Sequence, residues 1–278
     1  MGQPYAEVIG DPIAQSKSPV IHRFWLDRLG IDADYRACRV ASDALAAYFA
    51  ERRADPDWRG CNVTMPHKLA VMDHVGDPGG VRAGIGAMNT VIPDPDGQGS
   101  GGAGGLIGTN TDAAGFWTPI ADLDLAGRPV AVVGTGGAAR AVLFALARVG
   151  CGPVTVMARN PLKAAALLSH FGLKGQTLAL SAGVAPPAAL LVNASSLGMT
   201  GQDPLALDLS ALPDDALVYD VVTAPVETPL LADARARGLE TVDGLEMLVG
   251  QAAVAFELFF GQSPPRDGDE ELRERLLA

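Results

Sequence analysis

The segment Val130–Arg140 constrains the fold more than any other part of the chain. A short apolar strand, Val130–Val133, runs into Gly134-Thr135-Gly136-Gly137-Ala138-Ala139-Arg140, and an apolar helix continues to about Val149. Gly134, Gly136 and Ala139 fit the pattern G-x-G-x-x-A in the strand-to-helix context it requires. The first glycine permits a tight turn, the second lets backbone approach a pyrophosphate, and the small third residue lets helix and strand pack closely. The helix N-terminus then faces the anion. Val154–Met157 reads as the next strand, and Leu190–Ala194 and Leu217–Val221 as later ones, with helices between. This alternation predicts an α/β domain with a parallel sheet covered on both faces.

The region before it reads differently. Tyr5–Ile9 is a strand stopped by Gly10-Asp11-Pro12, and Val20–Leu29 has apolar residues at helical spacing. Tyr35–Val40 reads as a strand and Leu45–Arg53 as a helix. Gly60–Thr64 reads as a strand entering a Met-Pro turn, Lys68 as the start of the next helix, and Ala87–Ile92 as a strand. The Pro/Gly/Ser-rich stretch Asp94–Gly105 cannot bury apolar surface and reads as a mobile hairpin loop. Leu245–Phe260 is a last long helix, followed by a charged tail.

The end of the second strand of the glycine-rich unit reports the nucleotide. An acidic residue there would bind the ribose 2′-hydroxyl of NAD; this chain has Arg159, with Lys163 one helical turn on. Two cations suit a 2′-phosphate, so the sequence favours NADP. A solvated Arg/Lys pair at a helix start is the bland alternative.

A net charge of −11 and a pI near 4.7 argue against general nucleic-acid or anionic-membrane binding. They leave room for an anionic small molecule at a local basic site. Cys38, Cys61 and Cys151 have no regular spacing and read as free thiols in a reducing compartment. His22, His67, His74 and His170 are scattered, so no metal site is expected. With neither a signal peptide nor a run of about twenty apolar residues, the expected location is the cytoplasm.

Three polar runs precede the nucleotide motif: Asn62-Val63-Thr64-Met65-Pro66-His67-Lys68, Gly86-Ala87-Met88-Asn89-Thr90 and Gly108-Thr109-Asn110-Thr111-Asp112. Carbonyl reduction needs a hydride at carbon and a proton at oxygen. Lys68 and Asp112 are the ionisable residues these runs offer for the proton. Singly, each has an ordinary explanation: a lysine at a helix start is usually solvated, and Asn-Thr-Asp is usually a turn or cap.

Taken together, these motifs resemble the shikimate dehydrogenase family from about residue 5 to 261. The matching runs are Gly10–Pro19 (with Ser16-Lys17-Ser18), Asn62–Lys68, Gly86–Thr90, Asn110–Asp112, Gly134–Arg140, Asn193–Met199, Glu227–Leu231 and Asp243–Gln251. The resemblance implies NADPH-dependent reduction of 3-dehydroshikimate to shikimate. It also implies two α/β domains around a cleft: a substrate domain of residues 1–114 plus 245–278 and a Rossmann-type NADP domain of residues 115–244. The C-terminal helix returns to the first domain. Ser16 and Ser18 resemble the ligands of the substrate carboxylate. Thr64, Asn89 and Gln251 fall on positions that bind ring hydroxyls, Asn62 lies beside them, and Lys68 and Asp112 resemble the acid–base pair. On the nucleotide side the resemblance places Gly134, Thr135, Gly136, Gly137, Ala138, Ala158, Arg159, Asn160, Lys163, Met199, Val221, Gly244 and Met247. A small polyol carboxylate does need many short hydrogen-bonding side chains.

The chain also departs from the pattern. Thr223 stands where the family usually carries a tyrosine, keeping a hydroxyl with shorter reach. Ala158 replaces a common asparagine, Arg23 follows His22 where asparagine is common, and the loop Gly97–Gly105 is longer than usual. Thr223 keeps open a relative acting on quinate or an amino-substituted ring acid. A silent nucleotide or metabolite sensor is the alternative from another class, although a sensor has no need of Lys68. The expected assembly is a monomer or homodimer.

Overall fold

The structure, a computed structural model, describes residues 2–94 and 105–278. The glycine-rich loop read from the sequence falls at 95–104, outside the described residues. The chain divides into two compact units, residues 1–111 with 251–278 and residues 112–250.

The first unit contains β1 (Tyr5–Gly10), α1 (Ser18–Leu29), β2 (Asp34–Arg39), α2 (Leu45–Arg53), β3 (Trp58–Val63), α3 (Val81–Gly84), β4 (Thr90–Pro93) and β5 (Leu106–Thr109). Its sheet runs β2-β1-β3-β4-β5. β1 pairs in parallel with β2 and β3, whereas β4 is antiparallel to both β3 and β5. The β4–β5 hairpin closes with Asp94 N–H on the Gly105 carbonyl at 2.8 Å. Sequence patterning missed β5 because Leu106–Thr109 is short and follows a glycine-rich stretch.

Lys68 does not start an α-helix. It sits in a turn that leads into a 3₁₀ segment, Ala70–His74. A bridge at Gly76 and the breaker run Asp77-Pro78-Gly79-Gly80 follow at once, leaving too little chain to nucleate a longer helix. The turn is still well fixed. His67 N–H bonds the Thr64 carbonyl at 2.9 Å, and the Lys68 carbonyl accepts from Met88 N–H at 2.8 Å. The buried His67 ring meets the Val40 carbonyl through Nε2 at 2.7 Å.

The second unit contains α4 (Asp112–Trp117), β6 (Val130–Val133), α5 (Gly137–Val149), β7 (Val154–Ala158), α6 (Pro161–His170), β8 (Gly175–Ala179), β9 (Leu190–Asn193), β10 (Leu217–Asp220), α7 (Pro229–Ala236) and β11 (Glu240–Val242). α8 (Gly244–Phe260) begins in this unit and ends in the first, where α9 (Asp269–Leu277) also lies. The sheet order is β11-β10-β9-β6-β7-β8, with every recorded pairing parallel. Both faces are covered by apolar clusters, one built on Val130, Val132, Val142 and Leu146 and the other on Val133, Leu191, Val218 and Leu231. This is the doubly wound dinucleotide fold, whose strand order reverses between β6 and β9. No helix among the described residues is long and apolar enough to cross a membrane.

The end of α8 returns to the first unit through an aromatic cluster. His22, on α1, is fully buried and stacks flat on Tyr35, with ring centroids 3.8 Å apart and planes 3° from parallel. Phe256 and Phe259 of α8 pack around the pair. Neither His22 nitrogen has a hydrogen-bond partner among the described residues, and burial pushes the imidazole pKa down to about 3. A folded-state value below the unfolded one means that the unfolded chain takes up the proton first, so stability is lost as pH falls below about 6.5. Between pH 7 and pH 5 this one group costs about 2 kcal/mol. His22→Phe keeps the stack and is expected to flatten the fall of the melting temperature over that range; an unchanged acid slope would show that His22 is not its source.

Candidate active site

Among the candidate substrate ligands of the first unit, Ser16 and Ser18 follow β1, Asn62 and Thr64 lie at the end of β3, Lys68 lies in the turn after it, Asn89 precedes β4, and Gln251 lies on α8. The Thr64 amide bonds the Ile9 carbonyl at 2.9 Å, and the Asp11 amide bonds the Met65 carbonyl at 3.1 Å, so the loop leaving β1 lies against the turn leaving β3. Gly10 makes this possible, since a Cβ there would meet Thr64 Cγ2 at 2.6 Å. That loop carries Ser16 and Ser18. Ser18 opens α1 and does not cap it; the N-cap is Lys17, without a side-chain cap bond, while Ser18 N–H reaches Ser16 Oγ at 3.4 Å.

Asn62, Asn89 and Gln251 converge in one buried polar network, together with Thr90 and Thr111. Asn62 Nδ2 donates to Thr90 Oγ1 at 3.1 Å, and Thr90 donates to Asn89 Oδ1 at 3.0 Å. Asn89 Oδ1 also accepts from Thr111 N–H at 2.7 Å, and Asn89 Nδ2 donates to Thr111 Oγ1 at 2.9 Å and Gln251 Oε1 at 3.4 Å. Thr111 donates to Gln251 Oε1 at 3.3 Å. Thr90 and Thr111 were absent from the candidate residues, although both lie within the polar runs already noted. Tyr35 was missed as well: its Oη donates to Asn62 Oδ1 at 2.6 Å, and nothing in the local sequence marks it. Lys68 is half-buried in the first unit; Asp112 is buried and opens α4 of the second.

In the second unit most of the candidate nucleotide residues follow the C-terminal ends of β6, β7, β9 and β10. Gly134 has φ +113°, and a Cβ on it would lie 2.7 Å from the Ala194 carbonyl oxygen. Only glycine suits that backbone and that approach at the point where the strand order reverses. A Cβ at Gly136 would meet nothing, which leaves open space before the α5 N-terminus. Gly136 is the N-cap and no side chain caps the helix, so the N–H groups of its first turn are available to an anion. Ala139 is fully buried against the sheet. These observations fit a dinucleotide pyrophosphate beside Thr135, Gly136, Gly137 and Ala138.

Arg159 and Lys163 are exposed at the end of β7 and in the first turn of α6. Asn160 is the α6 N-cap, its Oδ1 accepting from Lys163 N–H at 3.2 Å, and Ala158 is buried. Gly244 is a packing position: a Cβ would fall 2.2 Å from the Val222 carbonyl oxygen. Met247 is buried in the apolar core of this unit. Met199, Val221 and Thr223 are half-buried in the loops after β9 and β10. Buried Asp220 ties those loops together, accepting from Asn193 Nδ2 at 2.9 Å, Val222 N–H at 3.0 Å and Thr228 Oγ1 at 2.8 Å. Burial raises its carboxyl pKa, and those three donors oppose the shift. Among the described residues no group of His, Cys, Asp and Glu could hold a metal, and all three cysteines are free.

Residues 8–91 match the shikimate dehydrogenase substrate binding domain, and residues 244–272 match the shikimate 5'-dehydrogenase C-terminal domain. The chain is 67% identical over 275 residues to the shikimate dehydrogenase (NADP(+)) of Sphingopyxis alaskensis, covering 99% of this chain and 97% of that protein. Among solved structures, shikimate 5-dehydrogenase from Thermus thermophilus in complex with NADP(H) and shikimate superposes with a TM-score of 0.84 at 37% identity, covering 99% of this chain and 100% of that one. The ligand-free 5-ketofructose reductase of Gluconobacter sp. strain CHM43 superposes with a TM-score of 0.85 at 30% identity, covering 99% of each. The buried polar network, the glycine cradle and these matches along nearly the whole length agree, and the chain belongs to the shikimate dehydrogenase family.

Proposed function

We propose that this protein catalyses the reversible NADP-dependent interconversion of 3-dehydroshikimate and shikimate. The observation that carries the proposal is the buried set Asn62, Asn89, Thr90, Thr111 and Gln251. These are short polar side chains already linked to one another, a surface suited to several ring hydroxyls at once. The bound nucleotide supplies hydride chemistry at the ring carbon. Every other task falls to the protein's own side chains and backbone amides.

Ser16 and Ser18 take the carboxylate as hydroxyl donors. Thr64, Asn62, Asn89 and Gln251 orient the ring hydroxyls. Lys68 as an ammonium gives a proton to the oxygen that becomes the alkoxide and lends it positive charge; in the reverse direction the amine takes that proton back. Asp112 serves as the carboxylate of the acid–base pair and binds a neighbouring hydroxyl. Thr223 offers a hydroxyl from the loop after β10. Gly134 to Ala138 hold the pyrophosphate, with Met199, Val221, Gly244 and Met247 on the same side. Arg159 and Lys163 meet the 2′-phosphate, which an acidic residue at that strand end would repel. We place the enzyme in the cytoplasm, as a monomer or homodimer, with no nucleic-acid or membrane partner.

Initial rates with shikimate or quinate, each with NADP and NAD, test the proposal. Fast turnover with shikimate and NADP is expected, with only weak turnover when NAD replaces NADP. Preference for quinate would make Thr223 the mark of a changed substrate, and no turnover on either would sink the assignment.

The nucleotide choice has its own test. Arg159→Ala removes a charge-assisted contact to the 2′-phosphate and is expected to raise KM for NADP roughly ten- to a hundredfold. The weak reaction with NAD should be unaffected. Equal losses with both nucleotides would remove Arg159 from that role.

A further inference from the structure

We infer that Lys17 is a positioning residue whose ammonium ties the turn carrying Ser16 and Ser18 to the last turn of α9, so that α9 sets where those two hydroxyls stand. The inference rests on the shikimate assignment above for the role of the serines, and on geometry for the tether. Lys17 lies between the serines and is half-buried. A lysine flanked by two candidate carboxylate ligands invites the reading of a counter-charge. Its Nζ is instead engaged on the Leu276 carbonyl, 259 residues along the chain.

The turn's own bonds are local. Lys17 is the α1 N-cap, without a side-chain cap bond, and its carbonyl accepts from the Val20 and Ile21 amides at 3.1 and 3.3 Å. Ser16 N–H reaches the Ile13 carbonyl at 3.0 Å, and Ser18 N–H reaches Ser16 Oγ at 3.4 Å. Such bonds shape a turn without fixing where it stands. The Lys17 side chain adds a long-range bond that does.

The anchor is itself well seated. α1 and α9 run antiparallel, with Lys17 on Leu276 at one end of the pair. At the other end Arg28 Nη2 donates to Glu271 Oε2 at 2.8 Å, and Arg28 Nη1 lies 3.5 Å from Asp267 Oδ1. Between these ends the Phe24 ring meets two guanidinium groups, Arg28 at 5.0 Å and Arg275 at 4.9 Å from its centroid. Leu272 and Leu276 are buried. The carbonyls of a helix's last turn have no partner within the helix. A lysine ammonium satisfies one of them and complements the negative end of the helix dipole. One side chain thus caps α9 and holds the turn before α1.

Hydrogen bonds to a carboxylate tolerate only small displacements, so a turn that drifts loses affinity before the fold is lost. The turnover number depends on Lys68 and the nucleotide, which this tether does not touch.

The test follows KM, kcat and calorimetric shikimate binding in Lys17→Met, Leu276→Ala and the double variant. Lys17→Met keeps the aliphatic stem and removes the ammonium. It is expected to raise KM for shikimate about three- to tenfold, with kcat and KM for NADP near wild type. Lys17→Arg still donates to a carbonyl and should stay within about twofold of wild type. Leu276→Ala loosens the last turn of α9, leaves the Lys17 charge in place and should raise the same KM. The two effects should be non-additive, because both break one link. Amide hydrogen exchange at Val20 and Ile21 of ligand-free protein should quicken in both variants.

An unchanged KM in K17M, or equal losses in kcat and in both KM values, would overturn the inference. A raised KM in K17M beside a wild-type KM in L276A would overturn it too, since the charge alone would then be acting. If L276A does not fold, Arg28→Ala, which frees the far end of α9, replaces it with the same expectations. Wild-type protein that does not bind shikimate would remove both the assignment of the serines and this inference. Normal wild-type kinetics beside an unaltered K17M would remove this inference alone.

Discussion

Lys68→Ala lowers the turnover number by about 10²–10⁴-fold, the usual range for removing a positioned proton donor. The loss should fall on kcat, with calorimetric binding of shikimate and NADP preserved. This follows from where Lys68 stands. It occupies a turn fixed by the Met88–Lys68 and His67–Thr64 backbone bonds and anchored through His67 to Val40, so truncating one half-buried side chain leaves the backbone in place. Lys68→Arg sharpens the result. A guanidinium keeps the positive charge but holds its proton too tightly to transfer it, so this variant should retain binding and not rate. Near-native turnover in K68A would show that another group moves the proton.

Glu7→Ala should cost the first unit about 3–5 kcal/mol, the penalty for removing one partner of a buried ion pair. Glu7 points into the core from β1. Its Oε1 accepts from Arg52 Nε at 2.6 Å and from the Tyr48 hydroxyl at 2.8 Å. Glu7 is 1% exposed and Arg52 18%. Burial works against the charge on Arg52, but the hydrogen bond and charge of Glu7 outweigh it and raise the guanidinium pKa. Deleting the carboxylate leaves the Tyr48 phenol without its acceptor and Arg52, among the described residues, with only the exposed Glu51 at 3.4 Å. For a chain of this size the melting temperature should fall by roughly 10 °C. Glu7→Met combined with Arg52→Met should recover much of the loss, because an apolar pair of similar volume avoids the stranded charge. A single substitution that costs less than about 1 kcal/mol in urea unfolding would show the pair to be relaxed by solvent.

The second unit was largely legible because its signals are local. Val130–Val133 and Val154–Ala158 are apolar runs that a parallel, doubly covered strand requires, and Gly134, Gly136 and Ala139 act within one strand-to-helix turn. In the first unit, local signals misled at particular points. Lys68 reads as a helix start, yet Gly76 and the Pro-Gly run stop anything longer than a 3₁₀ turn. β5 is too short to announce itself and exists because β4 offers a free edge.

Tyr35 and Glu7 show the limit most plainly. In the sequence each is one residue of a short strand, and their partners lie far along the chain: Asn62 for Tyr35, Tyr48 and Arg52 for Glu7. What the sequence alone determined was the class of fold and the glycine-rich strand-to-helix turn, together with the candidates for the nucleotide cations and for the acid–base pair. Those depend on backbone freedom, hydrophobic period and charge within a few neighbouring positions. Only the tertiary structure decided which polar side chains share a proton, because a hydrogen bond depends on ångström distances between strands that the sequence leaves unspecified.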